Sequence, residues 1–388
     1  MGKENIKQNN YCRKVRFFPT VKHATLIDRC CDATRYLINK TLSEIRNGSL
    51  TATSNSITIR NHLRYQDKYL DKNEEWLKEV PYDTRDGAIR QLSSNFKTVF
   101  TQLKNKQIKK FSMRFKSKRN PRQVCFINKT AFKNTPCDKK LFVRRVKESI
   151  SFKENVDDFV FGTITVLKEK GRYYMCFPMK RDKKNLDTPY KAVALDPGVR
   201  TFQTFYSEEG LVGKIGDGTA SSLKCRLELE DKLKSAIALL KNSRKTRYNM
   251  RKRCWSLRTK VKNSVIDLHR KTCNWLTTTF KYIFLPSFDV RHMVKKEDRN
   301  IGRTTVRSML ALSHYSFKER LRHMADARGC IVNICNEAYT SKTCGCCGTI
   351  NPNLAGKKIF ECSTCGLVID RDYNGARNIY LRNIQSHG

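Results

Sequence analysis

Residues 337–348 read E-A-Y-T-S-K-T-C-G-C-C-G, and residues 360–379 read F-E-C-S-T-C-G-L-V-I-D-R-D-Y-N-G-A-R-N-I. Two residues separate Cys344 from Cys347 and Cys362 from Cys365, and fourteen residues, Gly348 to Glu361, lie between the pairs. Each C-x-x-C knuckle can set two thiolates on one side of a zinc ion, and two knuckles complete a closed tetrahedral shell. Cys346 makes the first knuckle ambiguous, but the two-residue gap selects Cys344 and Cys347. A glycine follows each knuckle, and a short hydrophilic, lysine-bearing hairpin joins them. Asp370, Asp372 and Asn374 come directly after the second knuckle. A structural zinc module beside acids implies that zinc shapes the site and the acids do the chemistry.

The chain has 388 residues, enough for two or three domains with a real core. Its 78 lysines and arginines against 36 acids give a formal charge of +42. The bases are spread over the whole length, so the expected partner is a polyanion, nucleic acid well ahead of membrane. Apolar and aromatic content is ordinary, which excludes a disordered basic protein. The opening M-G-K-E-N-I-K-Q-N-N is polar, and no apolar run approaches the roughly twenty residues that span a bilayer. The sixteen cysteines therefore belong to a reducing setting, as metal ligands or core residues.

Upstream, Y-C-R-K-V-R-F-F-P-T (11–20) reads as a strand ending at Pro19. A helix follows from about Thr20 to Ile45, with Leu26, Cys30, Ala33 and Leu37 on one stripe. A second helical region holds Trp76. A third helix, starting near Asp83, carries Ile89, Leu92, Phe96, Val99 and Leu103. Nine bases and no acid occupy the stretch from Leu103 to Arg122, interleaved with Phe111, Met113 and Phe115. That mixture suits a groove that tracks phosphates and stacks on bases. Residues 121–187 alternate apolar runs with turns, as a small antiparallel β domain would.

K-A-V-A-L-D-P-G-V-R then delivers Asp196 to the end of a buried strand, Val193–Leu195, before a turn into Thr201–Tyr206. Residues 221–280 read as helical, with ten bases and no acid from Lys241 to Lys262. A strand at Tyr282–Phe288, one helix from Thr304 to Ala327 capped at Gly329, and a strand at Val332–Cys335 lead back to the zinc loop. This order is an RNase H-like α/β layout with a zinc module inserted near its end.

Three features together resemble the TnpB/Fanzor family of transposon-associated, RNA-guided DNA endonucleases. They are A-L-D-P-G-V-R (194–200), Y-T-S-K-T-C-G-x-C-G (339–348) and the terminal C-x-x-C-G…D-R-D-x-N-x-A-R-N-I. V-R-F-F-P-T, Arg35 with Asn39, and K-F-S-M-R-F-K-S-K agree more loosely, so the resemblance spans the chain. It implies a RuvC-like nuclease core at 188–338 and 369–388 with a four-cysteine zinc-finger insertion, a zinc ribbon, at 339–368. It also implies an N-terminal β-barrel-like WED domain in two parts, 1–29 and 121–187, around a helical REC-like domain at 30–120.

Matched residue by residue, Asp196 and Asp372 are the first and last catalytic acids and Mg²⁺ ligands. The family's middle glutamate falls at the end of the Ile283–Leu285 strand, where this chain has Pro286, Ser287 and Phe288. Either another acid replaces it or the nuclease is dead. Glu337 and Asp289 are the candidates, Glu337 preferred because the Fanzor branch has a displaced glutamate before Y-T-S-K-T-C. Asp370 and Asn374 are supporting candidates. The resemblance further implies structural Zn²⁺, two catalytic Mg²⁺ ions, a guide RNA and a target double-stranded DNA. Neither a membrane nor a protein oligomer is indicated. Nuclear residence follows if the Fanzor branch is right, and bacterial cytoplasm otherwise. The competing readings are a nuclease-dead RNA-guided repressor and a zinc-ribbon DNA-binding protein without RNA.

Overall fold

The computed structural model describes residues 8–132, 138–142, 144–156, 162–183, 185–240, 243–288, 290–295, 299, 301–336, 339–351 and 358–384. It has two compact units, one built on residues 10–181 and the other on residues 182–388.

In the first unit β1 (Gln8–Phe18) leads into α1 (Val21–Arg46) through Thr20, whose Oγ1 accepts from the His23 amide at 3.4 Å. That side-chain cap satisfies one of the amides a helix start leaves unpaired. Cys30, Ala33 and Leu37 of the expected stripe on α1 are buried, while Leu26 is only partly so and its neighbour Ile27 takes the buried place. After α2 (Ser56–Leu63), the helical region expected around Trp76 is built of 3₁₀ turns, Asp67–Tyr69 and Lys72–Glu79, and not of α-helix. Leu77 and Glu74 are the buried residues of the second turn, and two positions cannot make a helical stripe. α3 (Tyr82–Lys104) buries Ile89, Leu92 and Phe96. β2 (Arg122–Asn128), β3 (Ser151–Phe152), β4 (Thr163–Glu169) and β5 (Arg172–Asp182) join β1 in a sheet of order β2-β4-β5-β1-β3. Lys170 and Gly171, both at positive φ (54° and 75°), turn β4 into β5.

The second unit is built on β6 (Tyr190–Pro197), β7 (Gln203–Tyr206), β8 (Val212–Ile215), α4 (Thr219–Leu239), α5 (Arg244–Thr279) and β9 (Phe280–Pro286). It continues through α6 (Val290–Val294), α7 (Arg303–Leu312), α8 (His314–Arg328), β10 (Ile331–Cys335), the hairpin strands β11 (Ile359–Glu361) and β12 (Val368–Asp370), and α9 (Arg371–Ile384). Strand order is β10-β9-β6-β7-β8, with β6, β9 and β10 parallel and β6-β7-β8 an antiparallel meander. β8 had no sequence signal: it is a short edge strand containing Gly213, where an added Cβ would lie 2.8 Å from the Phe205 ring.

Strand alternation sorts the two sheet faces. Val193, Leu195, Ile283 and Leu285 pack with Cys273, Leu276, Phe317 and Leu321 from α5 and α8. Ala192, Ala194 and Phe284 pack with Ile379 and Tyr380 of α9. Asp196 has the parity of Ala192 and Ala194, which puts it on the α9 side.

The single helix expected over Thr304–Ala327 is two. Ser313 breaks it at φ 53°, its Oγ donating to Leu310 O (3.2 Å) and Ala311 O (3.3 Å). A serine competing for helix carbonyls in this way provides the exit, and His314 at the start of α8 is buried. Gly329 at φ 74° ends α8 as anticipated. No helix among the described residues is long and apolar enough to cross a membrane.

Candidate metal centre and acidic site

The two knuckles converge. Cys344 Sγ lies 3.6 Å from Cys365 Sγ, Cys347 Sγ lies 3.5 Å from Cys362 Sγ, and all four sulfurs fall within 4.8 Å of one another. Thiolates about 2.3 Å from a tetrahedral zinc are about 3.8 Å apart, so the donor set and its spacing fit Zn²⁺. Gly348 and Gly366, at φ 78° and 70°, let each knuckle fold back, with Gly348 N donating to Cys344 O and Gly366 N to Cys362 O, both at 3.0 Å. Hydrogen bonding with Thr349 lowers the Cys347 thiol, while at Cys365 the Leu367 amide is outweighed by burial and hydrogen bonds to the other three thiols, which raise it. Cys346 is exposed, and its amide donates to Cys344 Sγ at 3.4 Å. Among the described residues this is the one group of three or more His, Cys, Asp or Glu close enough to hold an ion. Of the cysteines read as core or incidental, Cys30, Cys31, Cys125, Cys254, Cys273 and Cys330 are buried.

The D-R-D-Y-N-G-A-R-N run that follows has a distinct structural part for most of its residues. Asp370 caps α9: its Oδ1 accepts from the amides of Asp372 (2.9 Å) and Tyr373 (3.4 Å), and its Oδ2 from Lys214 Nζ of β8 (2.7 Å). Partial burial opposes ionisation of Asp370, but Lys214 and the capped amides win and keep its pKa below the usual carboxylate value. Asn374 is fully buried, its Oδ1 accepting from Gly345 N (3.0 Å) and its Nδ2 donating to Thr343 O (2.7 Å). One turn later Asn378 Nδ2 donates to Thr340 O (2.8 Å) and Thr343 O (2.7 Å). The two asparagines, four apart on one helix face, bolt the first knuckle to α9.

Gly375 shows where that helix is aimed. A Cβ built on it would lie 2.8 Å from Asp196 Oδ2, closer than side chains tolerate. Glycine is what lets α9 reach the end of β6. Asp372, in the first turn of α9, is three residues before Gly375, so it stands on the same helix face one turn earlier. Asp196 and Asp372 are both half-buried, and Arg371 Nη2 donates to Asp372 Oδ1 at 3.1 Å. Glu337 and Asp289 both lie outside the described residues. The strand ends that flank them are described: Cys335 pairs in register with Pro286, and Ser287 N donates to Cys335 O at 3.1 Å. Gly375, Asn378 and Lys214 carried no role in the sequence reading. The i, i+4 spacing of Asn374 and Asn378 behind a zinc loop was the available signal.

Beneath β6, on the face opposite α9, His269 and His314 stack on either side of Phe202, each with ring centroids 5.1 Å away. Burial drives both imidazoles down to about 4, so they are neutral in the fold.

The Cas12f1-like TNB domain family matches residues 314–379. A putative transposase of Paramecium bursaria Chlorella virus 1 is 30% identical over 388 aligned positions, covering 95% of this chain and 86% of that protein. A TnpB-like protein of Acanthamoeba polyphaga mimivirus is 26% identical, covering 97% and 76%. Among solved structures, a Cas12f1–sgRNA–target DNA complex aligns over 96% of this chain and 98% of that one, with a TM-score of 0.48 and 12% identity. The 30% identity to the viral putative transposase, over nearly the whole of both chains, shows the class of protein. The chain belongs to the TnpB/Fanzor family.

Proposed function

We propose that the chain is an RNA-guided DNA endonuclease that cuts target DNA beside a short adjacent motif, at a site built on Asp196, Glu337 and Asp372. The observation that carries the reading is Gly375 of α9 pressed against the Asp196 carboxylate, with Asp372 one turn away. Two aspartates offer hard oxygen donors, which suit Mg²⁺ or Mn²⁺, while the thiolates keep zinc apart. A pair of bound Mg²⁺ ions would supply an activated water and stabilise the leaving oxygen. The protein's part is to hold the carboxylates: β6 fixes Asp196, and the Asp370 cap together with the asparagine bolts fixes the start of α9. Glu337 follows β10 by two residues, and β10 ends beside Pro286, where a glutamate is missing; a carboxylate from the neighbouring strand is the economical replacement. In this reading residues 1–29 and 121–187 make the WED-like domain and 30–120 the REC-like one, a guide RNA reads the target by base pairing, and the protein works in a nucleus if the Fanzor branch is right and in a bacterial cytoplasm otherwise.

Pro286 also favours a second reading, a nuclease-dead RNA-guided repressor. Plasmid cleavage in Mg²⁺ by the RNA-bound protein separates the two. Asp196→Ala and Asp372→Ala should each abolish cutting with RNA still bound, Glu337→Ala should abolish it too, and Asp289→Ala should spare it. Cutting retained by the Asp196 or Asp372 variant would sink the nuclease site. Loss with Asp289→Ala and not with Glu337→Ala would move the middle ligand to 289.

A further inference from the structure

The basic stretch after α3 is not a free loop. Asn39 of α1 takes both main-chain groups of Lys116, its Nδ2 donating to Lys116 O (2.9 Å) and its Oδ1 accepting from Lys116 N (2.7 Å), as a neighbouring strand would. Arg46 Nη2 donates to Met113 O at 3.1 Å, and Lys118 pairs with Asp32 at 3.4 Å. Phe111 and Met113 turn inward onto Phe96, Phe100 and the neighbouring core. Two of the three residues read as base-stacking aromatics or apolars are therefore anchors. Phe115 is the exception, 48% exposed, with the Arg46 guanidinium 4.0 Å from its ring centroid.

Phe115, from the pinned segment, forms one wall of a groove of about 790 Å³. Its floor is the polar face of α1, with Arg35, Asn39 and Lys40, and Trp76 stands among its other lining residues. Floor and wall differ in composition, although Lys118 shares Asp32 with Arg35. On the floor Arg35 is matched by Asp32 (2.8 Å), Lys40 by Glu74 (2.6 Å) and Arg29 by Glu79 (3.4 Å). Matched donors and acceptors are poor phosphate traps, yet they suit base edges. The wall and its flanks, Lys109 to Arg122, hold bases and no acid, the composition that follows a phosphate chain. Phe115 and Trp76 add flat apolar surface for stacking.

We propose that this groove binds unpaired nucleotides, bases stacked over Phe115 on the α1 floor and phosphates along the pinned basic wall. Its volume is that of a small-ligand pocket and admits about two or three nucleotides, not a duplex. The inference rests on the nucleic-acid reading above but not on cutting. Arg35 and Asn39, which share one face of α1 and carry the resemblance of its R-x-x-x-N, gain a use: Asn39 is a positioning residue that keeps the wall rigid.

The test is photocrosslinking of the full chain with its copurified RNA, with and without a DNA duplex opened by a displaced strand, followed by peptide mass mapping. Adducts are expected on peptides containing Phe115 or Trp76, and the adduct mass distinguishes ribonucleotide from deoxyribonucleotide. Phe115→Ala should remove the adduct at 115 and weaken RNA binding on the order of tenfold, as expected for losing one stacked base. Asn39→Ala removes no charge, so it should weaken binding with an unchanged salt slope. Lys116→Ala with Lys118→Ala should lower that slope instead. Phe115 is exposed, so its truncation does not endanger the fold. Adducts confined to other peptides, or unchanged affinity in Phe115→Ala, would overturn the groove while leaving the nuclease reading intact. No adduct anywhere would overturn both.

Discussion

Gly375 is the residue on which the acidic site turns, and its role follows from space alone. An α-helix carrying any side chain at that position would have to stand off from β6, because the added Cβ meets Asp196 Oδ2 at 2.8 Å. Gly375→Ala is therefore expected to tilt α9 or displace the Asp196 carboxylate. Misplacing a reacting group by an ångström costs up to about a hundredfold, so cutting should fall roughly tenfold or more. Alanine favours helix over glycine by about 1 kcal/mol, which offsets part of that strain, so the melting temperature should change little while activity drops. Measuring both on one preparation decides the matter: unchanged cleavage would mean that Gly375 only packs. The motif showed its acids readily, because carboxylates behind a zinc ribbon have an obvious chemistry. It hid Gly375 and Asn378, whose work depends on what faces them across the fold.

At the scale of elements, the break between α7 and α8 sends His314 into the core, where it and His269 enclose Phe202. Both imidazoles sit near 4 because burial disfavours their charged form, against about 6.5 in an unfolded chain. A group whose folded pKa is depressed in this way stabilises the fold above the unfolded value. That contribution is lost as pH falls from about 6.5 towards 4, since only the unfolded chain takes up the proton. Each histidine should cost the fold on the order of 2 kcal/mol between pH 7 and pH 5. His314→Phe keeps an aromatic ring beside Phe202, so denaturant melts at the two pH values should show a drop smaller than the parent chain's by about 2 kcal/mol. An equal drop in both would deny His314 its share. Sequence periodicity ran one helix through this point because Ser313 is compatible with helix by composition. The turn is made by its hydroxyl reaching Leu310 and Ala311, which no apolar pattern reports. Elsewhere the buried strands at 193–195 and 282–285 and the cap at Gly329 were legible, since burial on both faces leaves a continuous apolar run. Edge strand β8 was not, because its core contact is made by the backbone of Gly213 beneath Phe205.

At the scale of the whole molecule, charge sets the conditions under which the protein exists. A formal +42 on 388 residues repels itself, and the repulsion falls when a polyanion covers it. The acid-free stretches, Leu103 to Arg122 and Lys241 to Lys262, lie in different units, so each unit brings its own counterpart for a polyanion. Binding of that kind is driven by counterion release, and contact with six to ten phosphates loses about 10³ to 10⁵ in affinity between 50 and 200 mM salt on duplex-like nucleic acid. RNA should accordingly copurify at moderate salt and be stripped at high salt, and the stripped protein should aggregate or melt lower. Re-adding the same RNA should restore the melting temperature, because a ligand that binds only the folded state stabilises it by mass action. A plot of log affinity against log salt then counts the phosphates engaged. A flat plot, or a stripped protein as stable and soluble as the complex, would mean that the charge serves something other than a nucleic-acid partner.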